Sequence, residues 1–271
     1  MFESIKNLYE SLKKPPLKQV FFRSLPLNRK LLLWYANQLI REDSAVETVE
    51  QLNELNSLRQ SGHALTFISN HLTYADSHII ETMMIRSGFK NMADHIVHIA
   101  GQKTYELSRY FLTRSLNTIR VYQPKANIDR MIKKKMNARA LKWAARLKRK
   151  GYSLLLFPEG TRTRMEKRFN LKSGNPRSTI YFRNSLVVPL ALMGPEELMP
   201  VGRTLPHSGT IRLRIGKIVK HSDLEQEFRD KNRNLSEKEF QQSLMSYYMK
   251  QLNDLLAPEY QYKEPDQVPG I

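Results

Sequence analysis

Ala64-Leu65-Thr66-Phe67-Ile68-Ser69-Asn70-His71-Leu72-Thr73-Tyr74-Ala75-Asp76 begins as a short apolar run and leads into a segment where Ile79, Ile80, Met83 and Met84 recur at helical spacing. The run predicts a strand over Ala64 to Ile68, and the spacing predicts a helix from Asp76 to Ser87, ended by Gly88. Where a strand hands over to a helix the chain turns sharply, so His71 and Asp76 can face each other across the turn. An imidazole with an ordinary pKa of about 6.5 accepts a proton at neutral pH, and a carboxylate on its other nitrogen fixes the tautomer. His71 is then a candidate general base and Asp76 its orienter. Asp76 also suits a plainer role at the helix start, where acidic side chains accept orphan backbone N–H groups.

Moving outward, the same alternation repeats. Ser44 and Glu47 have the spacing of a capping box ahead of a helix carrying Val46, Val49, Leu52, Leu55 and Leu58. Strands are predicted over Ile96 to Ala100, Thr118 to Gln123 and Tyr152 to Phe157, with a helix over Tyr105 to Leu116 between the first two. Strand and helix in alternation predict an α/β fold: a mixed, largely parallel sheet flanked by helices, with a helical N-terminal segment and a C-terminal helix. The expected divisions are residues 1–43 as an amphipathic N-terminal segment, 44–220 as the α/β core, and 221–271 as a helical segment and tail.

The chain has 271 residues, 41% hydrophobic and 26% charged, and the longest apolar run, Leu186 to Met193, contains Pro189. That composition predicts a folded core and no membrane-spanning segment, which needs about 18 apolar residues. Lys6, Glu10, Lys13 and Lys14 interrupt any secretory signal, so the cytoplasmic side is the expected location. With no cysteine, neither a disulfide nor thiolate catalysis is available.

The net charge of +18 points to polyanionic partners. Lys125 to Lys150 holds eleven Lys and Arg against one Asp, while Ile128, Ile132, Met136, Ala140, Trp143, Ala144 and Leu147 share a helical face. One side packs and the other is cationic, suited to solvent, to anionic lipid or, less readily, to nucleic acid. No zinc-finger, RNA-recognition or helix-turn-helix signature accompanies the charge, so nucleic acid is not an expected partner. Near the N-terminus, Phe21-Phe22 and Leu31-Leu32-Leu33-Trp34-Tyr35 stand among basic residues, as in a helix packed on the core or one lying in a membrane interface.

The strand of Tyr152 to Phe157 delivers Pro158-Glu159-Gly160-Thr161-Arg162-Thr163-Arg164 to a loop at its carboxyl end. Ligands of open α/β sheets bind at such loops, glycine permits close approach, and arginine offers a planar fork matched to phosphate.

The pair of loops, Asn70-His71 through Asp76 and Phe157 through Arg162, followed by Val187-Val188-Pro189-Leu190, resembles the glycerolipid acyltransferases, specifically the 1-acyl-sn-glycerol-3-phosphate branch. Phe169, Lys172 and Gly174 follow in an order that is also similar. The resemblance implies that His71 deprotonates an acceptor hydroxyl, which attacks the thioester of acyl-CoA or acyl-carrier protein, with Asp76 orienting the base. It implies an acceptor-phosphate loop of Glu159, Gly160, Thr161 and Arg162, an acyl-thioester site shaped by Pro189, and a further substrate contact at Lys172. Neither metal nor cofactor is implied. The acceptor would be a lysophospholipid or glycerol phosphate, and the working surface an anionic membrane.

One segment departs from the family. Where it carries a further phosphate-binding arginine, this chain reads Asn117-Thr118-Ile119-Arg120-Val121-Tyr122-Gln123, with Gln123 at the arginine position. Arg120 is the nearest replacement, although strand alternation turns it to the opposite face from Gln123. Glycerol-3-phosphate or another lysophospholipid acceptor stays open, as does a non-catalytic basic scaffold at a membrane surface. His63, His95 and His98 are expected to be structural or surface residues.

Overall fold

The computed structural model describes residues 18–123, 126–162, 171, 173–199 and 206–261. In chain order these form β1 (Phe21–Phe22), α1 (Pro26–Leu39), β2 (Ala45–Val46), α2 (Val49–Gln60), β3 (Leu65–Ser69), α3 (Asp76–Arg86), α4 (Lys90–Asp94), β4 (Ile96–Gly101), α5 (Leu107–Thr113), β5 (Thr118–Val121), α6 (Arg130–Lys148), β6 (Ser153–Leu156), β7 (Leu186–Met193), α7 (Pro195–Leu198), β8 (Arg212–Ile215), β9 (Val219–Lys220), α8 (His221–Lys231) and α9 (Glu237–Leu255). The strands make one sheet in the order β1-β5-β4-β6-β3-β7-β8-β2, with β9 also on β7. From β5 through β7 the neighbours are parallel, β1 runs antiparallel to β5, β8 and β9 run antiparallel to β7, and β2 runs parallel to β8. This is the mixed, largely parallel sheet that the sequence predicts.

Central parallel strands are covered on both faces, which is why β3 and β6 are buried at every position instead of alternating. On one face, Leu65, Phe67, Leu155, Val188 and Leu190 pack with Leu52 and Leu55 of α2 and with Ile79, Ile80 and Met83 of α3. On the other, Ile68, Leu156, Val187 and Ala191 meet Phe240, Leu244, Met245 and Tyr248 of α9. Alongside them Val97, Ile119 and Leu154 meet Met136, Ala140, Ala144 and Leu147 of α6. Each large side chain buried this way contributes roughly 1.5–3 kcal/mol, so α9 is as much a part of the core as α3.

Several local expectations change. Ser44 and Glu47 do not cap a helix: Ala45–Val46 pairs with β8, and the Ser44 hydroxyl accepts from the Ile211 N–H. The ladder satisfies more backbone groups here than a cap would, and the helix begins at Val49. A true capping box stands at Ser236 and Glu239, opening α9. The helix expected over Tyr105 to Leu116 is shorter, a 3-10 turn at Gln102–Tyr105 followed by α5. Phe21 and Phe22 form an edge strand on β5. Phe22 is fully buried and Phe21 stacks on Trp143 of α6, so neither is free for a membrane.

α1 lies against α3. Arg29 of α1 donates to Glu81 of α3 at 2.5 Å and to Asp94 at 3.0 Å, while His98 Nε2 of β4 lies 2.7 Å from the other Glu81 oxygen. Glu81 is fully buried. A buried carboxylate stripped of its cation is costly, so Arg29→Ala is expected to destabilise the fold by roughly 3–5 kcal/mol in urea denaturation. A loss under about 0.5 kcal/mol, the scale of an ordinary surface substitution, would show that the pair does not hold α1 to the core.

Candidate active site

The chain leaves β3, crosses to β4 and β5, and returns to place β6 between β4 and β3. That change of direction opens a crevice at the carboxyl ends of the parallel strands. A cavity of about 820 Å³ lies there, lined by His71 and Tyr74 after β3, Gly101 and Lys103 after β4, Gln123 after β5, and Phe157 and Gly160 to Arg162 after β6.

Three clips hold His71 in place. The Asn70 side chain donates to the Leu192 carbonyl at 2.8 Å and accepts from the Leu192 N–H at 2.9 Å, tying the end of β3 to β7. The His71 N–H donates to Glu159 at 2.7 Å, which ties the same turn to the loop after β6. Asp76, fully buried, accepts from the Leu72 and Thr73 N–H groups at 2.7 and 2.9 Å and from the Thr73 hydroxyl at 2.6 Å. Its Oδ2 also lies 2.8 Å from His71 Nδ1.

The carboxylate therefore closes the turn and aligns the ring together, joining the two roles that its sequence position suggests. An ionised Asp76 makes Nδ1 the donor, leaving Nε2 as the ring's proton acceptor. The imidazole stacks on Phe157 with ring centres 4.4 Å apart and keeps one edge in the cavity. Two other histidines line the same space. Burial pushes His78 down to about 4, so it is neutral at physiological pH, and His98 is engaged with Glu81.

The other sequence-predicted residues divide. Gly160, Thr161 and Arg162 line the cavity. Gly160 has φ +66, a backbone conformation that glycine adopts without strain, and its carbonyl accepts from Gln123 Nε2 at 2.9 Å. Gln123, at the family's arginine position, thus steadies the loop that carries Arg162. Glu159 serves as the anchor of the His71 backbone and does not line the cavity.

Arg120 is 1% exposed and also lies off the cavity wall, its guanidinium 5.5 Å from the ring centres of Phe22, Tyr105 and Tyr122. The opposite-face expectation for Arg120 and Gln123 thus matches their positions, and the substrate contact expected of Arg120 does not. Pro189 is likewise away from the cavity, buried in β7 beside Ile68 and packed on Gly216. Lys172 and Phe169 lie outside the described residues.

Sequence reasoning missed Arg109 of α5. Its guanidinium lies 4.7 Å from the Tyr74 ring centre, and that of Arg162 lies 3.5 Å from the same centre. One aromatic ring thereby organises two guanidiniums at the cavity wall, one from each side of the crevice. Nothing in the spacing of residues 74, 109 and 162 signals this, because three separate strand ends bring them together. Among the described lining residues, Lys103, Lys133 and Arg177 add positive charge and Glu106 is the one acid. Among the described residues no group of His, Cys, Asp and Glu side chains could hold a metal ion.

Removing the hub and removing the base are expected to differ in stability. Asp76→Ala leaves two backbone donors and a hydroxyl unpaired and is expected to cost roughly 3–5 kcal/mol, whereas His71→Ala, which keeps every clip of the turn, is expected to cost less than about 2 kcal/mol. Urea denaturation of the two variants tests this. Equal losses would show that Asp76 acts only through the histidine.

The acyltransferase family model matches residues 44–193, which takes in both loops and ends at the last residue of β7. No curated protein matches the chain. Among solved structures, a 1-acyl-sn-glycerophosphate (LPA) acyltransferase, PlsC, from Thermotoga maritima aligns at 19% identity with a TM-score of 0.49, covering 94% of this chain and 90% of that one. With more than half of the chain matched, and the matched part carrying the His71–Asp76 turn and the Gly160–Arg162 loop, the protein belongs to the acyltransferase family.

Proposed function

We propose that the protein transfers a fatty acyl group from a thioester, acyl-CoA or acyl-carrier protein, to the free hydroxyl of a phosphorylated glycerolipid, with 1-acyl-sn-glycerol-3-phosphate as acceptor and phosphatidic acid as product. The observation that carries this reading is a base and a pair of guanidiniums on one cavity: His71, backed by Asp76, beside Arg162 and Arg109 on Tyr74.

An alcohol has a pKa far above 7 and needs a positioned base to attack. Nε2 of His71 takes the hydroxyl proton as the oxygen adds to the thioester carbonyl. Collapse of the tetrahedral intermediate breaks the carbon–sulfur bond, and the imidazolium returns the proton to the departing thiolate. Asp76 stabilises the imidazolium between these steps, and the arginine pair holds the acceptor's phosphate dianion so that its hydroxyl faces Nε2. No external oxidant, metal or cofactor enters the balance.

The acceptor is a lipid, and we place the protein peripherally on the cytoplasmic side of a membrane. Among the described residues no helix is long and apolar enough to cross a bilayer. α1 instead presents Leu27, Leu31, Trp34 and Tyr35, 41–57% exposed, at the i, i+4, i+7, i+8 spacing of one stripe, with Lys30 exposed beside it. An apolar stripe flanked by cations suits the headgroup boundary.

Three outcomes are expected. His71→Ala should remove nearly all acceptor-dependent thiol release while retaining the fold by circular dichroism; near wild-type release would refute the mechanism. Arg162→Lys keeps the charge but loses the fork, so acceptor KM should rise at least tenfold while donor KM moves little. A change confined to the donor would reassign the loop to the thioester. Replacing Leu31 and Trp34 by Ser should weaken co-sedimentation with anionic vesicles several-fold, and unchanged binding would take α1 out of the membrane contact.

A further inference from the structure

Helix α6 runs beside the cavity and supplies Lys133, Asn137 and Leu141, one stripe of its surface, to the wall. Arg130 and Lys134 flank that stripe, and Lys135, Arg139, Lys142 and Arg146 continue round the helix away from it; all six are exposed. None of the six has an ion-pair partner among the described residues, and the helix itself contains no acidic residue. Lys148 does not share this face: it turns inward to donate to the carbonyls of Tyr181 and Arg183. Like charges left unneutralised along about 24 Å of helix repel one another, so the face costs stability unless an anionic partner uses it.

Two arrangements in the fold bear on which partner that is. The exposed apolar stripe of α1 lies on the layer of α3, and α6 lies on the opposite layer with α9. A membrane engaged by α1 therefore leaves α6 on the other side of the sheet. The cations also fan around the helix: at 100° per residue, Arg130 to Arg139 cover about 180°. A flat bilayer meets a narrow strip of a helix, whereas a folded protein can follow such a curve. Met131, 69% exposed, sits within the fan and adds an apolar contact to it.

We infer that the exposed face of α6 is the docking surface for an acidic protein that carries the acyl thioester on a flexible prosthetic arm, delivering it into the cavity past Lys133. The inference rests on the acyl-transfer reading and narrows its donor to the carrier-protein form.

The test uses the full chain, a charge-reversed variant with Lys135→Glu, Arg139→Glu and Lys142→Glu, and holo acyl-carrier protein as probe. Binding of labelled holo carrier, followed by fluorescence anisotropy, should be detectable for the wild type, weaken as salt rises, and fall at least tenfold in the variant. Thiol release should show the same loss with acyl-carrier protein as donor, while kcat/KM with acyl-CoA changes less than threefold. Thermal unfolding confirms that the variant is folded.

No carrier binding by the wild type, or equal binding by both proteins, would overturn the inference. So would a variant that keeps its carrier affinity and loses binding to phosphatidylglycerol vesicles, because the occupant would then be lipid. Should neither thioester support turnover, the acyl-transfer reading fails, and the anisotropy result still decides whether the face takes the acidic protein.

Discussion

A single carboxylate organises this protein's site. Asp76 is fully buried, and its charge is met by two backbone N–H groups, a hydroxyl and an imidazole, all within seven residues of sequence. A buried anion is tolerated when it is surrounded by donors, and that need closes the turn after β3. Closing the turn sets the direction of the His71 ring, which keeps an edge in the cavity. Asn70 and Glu159 extend the constraint to β7 and β6, so the imidazole is fixed to three strands.

The same economy appears at the loop after β6. Gly160 turns the loop after β6, Gln123 holds its carbonyl, and Arg162 settles over Tyr74, which belongs to the His71 turn. Imidazole and guanidinium are therefore positioned by one connected set of contacts. A substitution at Tyr74 would be felt by Arg162 and Arg109 together, since both use its ring.

What the residues revealed before folding was governed by how local each signal is. The alternation of apolar runs with helical spacing gave the sheet and its layers, because burial of parallel strands on both faces leaves continuous runs such as Leu65 to Ile68 and Leu154 to Leu156. His71 and Asp76 were legible because five residues and a turn separate them. Arg109 was not, since its partnership with Tyr74 depends on three strand ends converging. Glu159 lay in the right loop but served the His71 backbone, a contact made across 88 residues. Ser44 and Glu47 read as a cap only while β8, 167 residues away, was invisible. Arg120 sat on the strand face that alternation assigned, and that face holds an aromatic cage instead of the cavity.

The basic face of α6 and the apolar stripe of α1 are two separate surfaces of the fold. In sequence both suggested a membrane, and in the fold the sheet separates them. The central claim remains that Asp76 holds His71 with Nδ1 protonated and Nε2 free to accept. Nitrogen-15 NMR of the His71 ring in the full chain at neutral pH measures this most directly. The account predicts that the uncharged form of the ring carries its proton on Nδ1, with that preference lost in Asp76→Asn. A wild-type ring protonated on Nε2, or a tautomer indifferent to Asp76, would contradict it.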